Sequence, residues 1–214
     1  MLILEEVTAV LLAKSYNLPI FSQLWLLDNG IITKEEFESG ESYFTPVAVN
    51  VPTPDFELLI MAERLQVVIK VGAINEGQAL LERLVGGIVE NLPHTPYKAL
   101  GLNFRYRIKS ENEIGFSERC RNVFVNPGNP LQADFDDTNA RFGLYLSKDI
   151  FDARLRLDIK PVKPDGNDAL NLAFNIERQI ARPEDIGVLL SSWSGINDYT
   201  KVLSEQLNNA LEGE

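Results

Sequence analysis

Apolar and polar residues alternate one for one along much of the chain. The clearest case is residues 98–109. There Leu100, Leu102, Phe104, Tyr106 and Ile108 point one way, and Gly101, Asn103, Arg105, Arg107 and Lys109 point the other. A strand projects successive side chains to opposite faces, so this pattern predicts one buried face and one wetted face. Residues 153–160 repeat it, with Ala153, Leu155, Leu157 and Ile159 set against Arg154, Arg156, Asp158 and Lys160. So do residues 170–177, with Leu170, Leu172, Phe174 and Ile176 set against Asn171, Ala173, Asn175 and Glu177. Phe142, Leu144 and Leu146 predict a further strand, and residues 119–125 a short one. Upstream, Val47, Val49 and Val51 mark a strand over 46–51. Residues 56–62 and 65–70 read as a hairpin turning near Glu63 and Arg64. Residues 6–14 are apolar on both faces, which suits a strand covered on both sides or lying in an interface.

Elsewhere the period changes to that of a helix. Leu81, Leu84, Val85, Ile88 and Leu92 recur at helical spacing behind Asn75 and Gln78, which fit a capping box. Gly86 and Gly87 interrupt this helix and predict close packing of its backbone on a sheet. No strand leads into them and no Lys-Ser or Lys-Thr follows, so they do not fit a phosphate loop. Residues 19–29 predict a helix that is apolar all round and therefore buried, in the core or by a partner chain. Past Pro183, Leu189, Trp193, Ile196, Thr200, Leu203, Leu207 and Ala210 follow at spacings of three and four, with a break expected at Ser194 and Gly195. This stripe fits either packing on the sheet or a short coiled coil with a second copy.

The resulting order of elements predicts an α+β fold: a curved, mostly antiparallel sheet with helices packed on one face and a long C-terminal helix. Residues 1–214 read as a single domain, with a long irregular loop region over about 110–139.

Composition narrows the function classes. The 214 residues carry a net charge of −11, which argues against generic nucleic-acid coating. One Cys and one His exclude a disulfide framework and a His- or Cys-rich metal site within the chain. The first residues lack a signal-peptide pattern and no apolar run is long enough to span a bilayer, so the expected setting is cytoplasmic, with no membrane partner.

The candidate chemistry is sparse. Asp134, Asp136 and Asp137 cluster in one loop, but the calcium-loop pattern fails at Asn139 and Tyr145. His94 would have to serve any serine or cysteine relay, and no Gly-x-Ser-x-Gly elbow accompanies it. Arg119 and Arg121 would lower the thiol pKa of Cys120 if it were exposed. The competing reading is a half-buried strand cysteine. No Walker loop or dinucleotide fingerprint is present, and no cofactor is implied. The remaining constellation is the polar face of the sheet: Asn103, Arg105, Arg107, Lys109, Arg154, Arg156, Lys160, Asn171 and Asn175. Arginine forks suit carboxylate recognition and occur at protein interfaces. The sequence therefore points to a non-enzymatic binding or assembly protein that holds an acidic partner on this face and self-associates through its first or terminal helix. The alternative is a small-molecule binder or enzyme with a pocket between the sheet and the C-terminal helix. A nucleic-acid platform is poorly supported, because Tyr145 is the one obvious aromatic on the face.

Overall fold

The structure is a computed structural model that describes residues 1–110, 115–126, 128–129, 134–135, 137 and 139–212. Its strands are β1 (Leu2–Ala13), β2 (Tyr43–Phe44), β3 (Ala48–Pro52), β4 (Phe56–Met61), β5 (Arg64–Ile69), β6 (Tyr97–Lys109), β7 (Leu144–Ile150), β8 (Ala153–Val162) and β9 (Ala169–Gln179). Among the described residues they form one sheet in the order β2-β3-β4-β5-β1-β6-β9-β8-β7, and every neighbouring pair is antiparallel.

Register converts the alternation in the sequence into a continuous apolar face. Val51, Leu58, Val67, Ala9, Leu102, Ile176 and Leu155 stand opposite one another in one row across seven strands. The next row brings Phe56, Ile69, Val7, Phe104, Phe174 and Leu157 together. All of these are buried. Burying each such side chain contributes about 1.5–3 kcal/mol, so a one-residue slip of any strand would turn a whole stripe into water.

Helices cover that face. They are α1 (Gln23–Asp28), α2 (Lys34–Glu38), α3 (Gly77–Leu81), a π-helical segment (Glu82–Gly86), α4 (Gly87–Asn91), α5 (Phe116–Phe124), α6 (Glu184–Ser191) and α7 (Trp193–Glu212). α3, the π segment and α4 run on as one rod. The predicted capping box at Asn75 does not form. A 3-10 helix, Val71–Glu76, runs straight into the rod, and Gly77 N–H donates to Ile74 O. Gln78 instead donates to Glu82 and accepts from Ser194. Gly87 packs closely, on a partner other than the sheet, whereas Gly86 meets only ordinary van der Waals contact. A Cβ at Gly87 would lie 2.7 Å from Ile31 Cδ1, and one at Gly86 would lie 3.9 Å from Leu190 of α6.

Four further expectations change. Residues 19–29 form a 3-10 turn, Leu18–Ile20, and then α1, capped by Ser22. Leu26 is fully buried but Leu24 is 66% exposed, so this helix is amphipathic, not apolar all round. Residues 119–124 belong to α5 and not to a strand, and Val125 is its C-cap. Phe116 and Cys120, four apart, form its buried stripe, and a window opening at Arg119 misses the first of them. The C-terminal break falls at Ser192, ahead of Ser194 and Gly195. The buried stripe of α7 is Trp193, Ile196, Thr200, Ser204, Asn208 and Leu211, while Ala210 is exposed. A helix turns every 3.6 residues, so a seam read at 3.5 drifts by about 20° per heptad, and toward the end of α7 the buried centre lies at Ser204 and Asn208 while Leu203 and Leu207 are partly buried. The stripe packs on the molecule's own sheet: Thr200 Oγ1 lies 3.3 Å from the Tyr106 hydroxyl, and Ser204 Oγ donates to Thr200 O.

The β7–β8 hairpin turns on Phe151 and Asp152, both in the left-handed region with φ of 49° and 54°. Two-residue turns with both φ positive favour Asn-Gly or Asp-Gly, because a Cβ is strained there. The Phe151 ring rests against Gly195 of α7, where an added Cβ would lie 3.1 Å away, and that contact holds the turn. Asp152 is exposed and has no such anchor. Asp152→Gly is therefore expected to raise stability by about 0.5–1 kcal/mol, read as a higher urea midpoint at unchanged slope.

Candidate functional site

β9 lies between β6 and β8, so the polar residues of all three strands share one face, opposite the helices. Four rows bring the expected residues together. Asn103, Asn175 and Arg156 form one row; Gly101, Glu177 and Arg154 the next. Arg105, Ala173 and Asp158 form a third, and Arg107, Asn171 and Lys160 a fourth. Lys109 stands at the end of β6, opposite Ala169.

The first row is bonded from end to end. Arg156 Nη1 donates to Asn175 Oδ1 at 3.0 Å. Asn175 Nδ2 donates to Asn103 Oδ1 at 2.8 Å, and Asn103 Nδ2 donates to Thr8 Oγ1 of β1 at 3.1 Å. The chain starts at a guanidinium, which can only donate, and this fixes the orientation of both amides. Each amide keeps one further N–H, and the Thr8 hydroxyl keeps its proton. The leftover hydrogens make the row a donor array. Asn103 follows from the alternation, but Thr8, 95 residues away, joins it only through register.

Five cations of the face are paired with carboxylates. Arg105 meets Glu6 at 2.7 Å and Arg107 meets Glu5 at 2.8 Å, the latter without hydrogen-bond geometry. Arg154 meets Asp149 at 2.9 Å, Arg156 meets Glu177 at 3.4 Å, and Lys160 meets Asp158 at 2.5 Å. Glu5 and Glu6 reach these positions because β1 begins at Leu2, four residues before the expected start. A register shift between Leu4 and Glu6 brings both carboxylates against β6. Arg64, at the start of β5, stands apart. Its Nη2 donates to Gln66 Oε1, and among the described residues it has no carboxylate partner. In sequence Arg64 falls in a hairpin turn, which gives no sign of its place on this face.

Small residues open a trough beside the bonded row. One recess of about 270 Å³ lies over Thr8, Asn103 and Ala173 and is walled by Arg64, Arg105 and Glu6. A second of about 240 Å³ lies over Val10, Ala99 and Gly101 and shares Arg64, Asn103 and Asn175 with the first. Together they follow β6 from Ala99 to Arg105, roughly 20 Å of extended chain.

Other candidates stand as follows. Cys120 is buried on α5, and burial pushes its thiol up to about 11 against the lowering influence of Arg119. His94 is exposed in the turn before β6. Asp136 lies outside the described residues. Asp137 caps its own turn, accepting from the N–H groups of Asn139 and Ala140. Among the described residues no group of three His, Cys, Asp or Glu side chains could hold a metal ion. Beneath α7 the middle of the stripe is closed by Trp193, Ile196, Thr200 and Ser204. A recess of about 290 Å³ opens at its far end, between Ile108, Phe116 and Leu211. No helix among the described residues is long and apolar enough to cross a membrane. No protein-family model matches the chain, and no curated protein is significantly similar to it.

Proposed function

We propose that this chain is a non-enzymatic binding or assembly protein that holds an acidic partner on the open face of its sheet. The observation that carries this reading is the donor array of Thr8, Asn103 and Asn175, lying in the trough beside the Arg64 guanidinium. The expected contact differs from a general attraction to arginine. Arg105, Arg107, Arg154 and Arg156 already face carboxylates, and a partner would have to displace those. Arg64 needs no displacement. The partner that fits brings a carboxylate to Arg64 and further oxygens to the amides, from a segment extended along β6.

A blocked seven-residue peptide alternating Glu with Ser tests this, with the Gln-Ser peptide as control. The acidic peptide should bind with a salt-weakened affinity and the control should not. Arg64→Ala removes a charge-assisted hydrogen bond worth about 1.5–3 kcal/mol, so binding should fall by roughly 10- to 100-fold. Asn103→Asp sets a negative charge in the array and should abolish it. Gly101→Val fills the trough floor near Asn175 Nδ2, which lies 3.4 Å from the new Cβ, and should also block binding. The reading fails if all three variants stay folded and bind the peptide like the parent.

A further inference from the structure

The two edges of the sheet are built differently. β2 has two residues, and Pro46 follows it shortly, both of which prevent another strand from adding. β7 has seven residues, pairs with β8 along its whole length, and contains no proline or glycine. Among the described residues no strand lies beside its outer side, which carries a row of backbone groups. Tyr145 on the open face is 61% exposed and Leu146 on the helix face 49% exposed. The alternation predicts Leu146 in the buried stripe; it is half-exposed because β7 is the last strand of the sheet and the core row ends at Leu157 of β8.

We propose that β7 pairs antiparallel with β7 of a second copy, joining two sheets across a twofold axis at Ser147. The register is self-complementary. Ser147 then faces Ser147, Tyr145 faces Asp149, Leu146 faces Lys148, and Leu144 faces Ile150. No like charges meet. The Tyr145 hydroxyl is placed to donate to the Asp149 carboxylate. The Lys148 ammonium sits 4.9 Å over the Tyr199 ring of its own α7, so its aliphatic stem is what Leu146 of the second copy would meet. Charge favours this edge as well. The chain as a whole carries −11, yet β7 holds one Lys and one Asp, so two copies approach here with little local repulsion.

Seven paired residues make a small interface, so association is expected at micromolar to millimolar concentration. Sedimentation equilibrium over that range should show a mass rising toward twice 24.0 kDa. Leu146→Lys opposes Lys148 in both halves and should give a monomer. Leu146→Glu meets the same Lys148 with opposite charge and should dimerise at least as well as the parent. Alternate amides of β7 should exchange more slowly in concentrated than in dilute samples. The proposal is overturned by a parent that stays monomeric at roughly millimolar concentration, by Lys and Glu variants with equal dimer content, or by a stable one-to-one complex with a co-purified polypeptide on this edge. None of these outcomes bears on the trough, which lies over β1, β6 and β9.

Discussion

Trp193→Ala is expected to destabilise the chain by about 4 kcal/mol, the largest single effect predicted here. Trp193 opens α7 immediately after the break at Ser192 and is 2% exposed. Its ring lies 5.1 Å from that of Phe104 in the middle of β6, at 35°. On its other side, a Cβ at Gly77 would lie 2.7 Å from three of its ring atoms. The indole therefore fills the joint between the central strand, α3 and α7, and alanine would leave a cavity that three elements must close together. Gly77→Ala attacks the same joint from the opposite direction. The ring has to move to admit the methyl, at a cost of about 1–3 kcal/mol. Combined, the two changes should cost less than their sum, because the cavity left by Trp193 accepts the methyl at Gly77. Urea unfolding with unchanged slope reads all three values. Additive costs would mean that Gly77 and Trp193 do not share this space.

Arg83→Ala is the second large change, expected to cost about 3 kcal/mol. Arg83 projects from the π segment. Its Nη1 and Nη2 bond both oxygens of Glu36 at 2.8 and 2.6 Å, and Nη1 also reaches Ile31 O at 2.8 Å. The guanidinium lies 5.7 Å from the centre of the Phe56 ring. The two side chains are 28% and 20% exposed, so removing one leaves the other charge partly desolvated. By contrast, the exposed Lys34–Glu38 pair is expected to contribute no more than about 0.5 kcal/mol. Burial opposes ionisation of Glu36. The hydrogen bonds from Arg83 and Thr33, together with the Arg83 charge, outweigh it and hold the carboxyl below its usual range. A carboxyl depressed in the folded state contributes stability above its unfolded pKa and loses it as pH falls through the folded value. The parent should therefore lose this contribution on acidification below about pH 4. Glu36→Gln should be less stable at neutral pH and flatter across the same window. Equal acid slopes for parent and variant would contradict the assignment.

Much of the sheet was legible because each strand buries one face, and a period of two survives any register. β6, β8 and β9 were placed on this basis. The first residues of β1 were not, because Leu2 to Glu6 carries two acids across a register shift and breaks the alternation. The same shift hides the carboxylates that face Arg105 and Arg107, so these two arginines are neutralised in space. Glu36 stands in an acidic stretch with Glu35, Glu38 and Glu41, a pattern that by itself predicts only a solvated surface. Its capping box with Thr33 spans three residues, but Arg83 lies 47 residues away and no local pattern announces it. Arg64 shows the same limit: a turn arginine acquires its place beside Asn103 only when β5 pairs with β1.

The trough between Arg64 and the Asn103–Asn175 row is the feature on which an acidic partner would be held. Its most direct test is the side-chain amide resonances of Asn103 and Asn175, assigned by loss in the Asn103→Asp and Asn175→Asp variants and followed during titration. The Glu-Ser peptide should shift both pairs saturably, with one dissociation constant, and the Arg64→Ala background should weaken that response by roughly 10-fold or more. If neither pair moves up to about millimolar peptide, or if the Gln-Ser control moves them equally, the open face is a solvated surface and the proposed function is wrong.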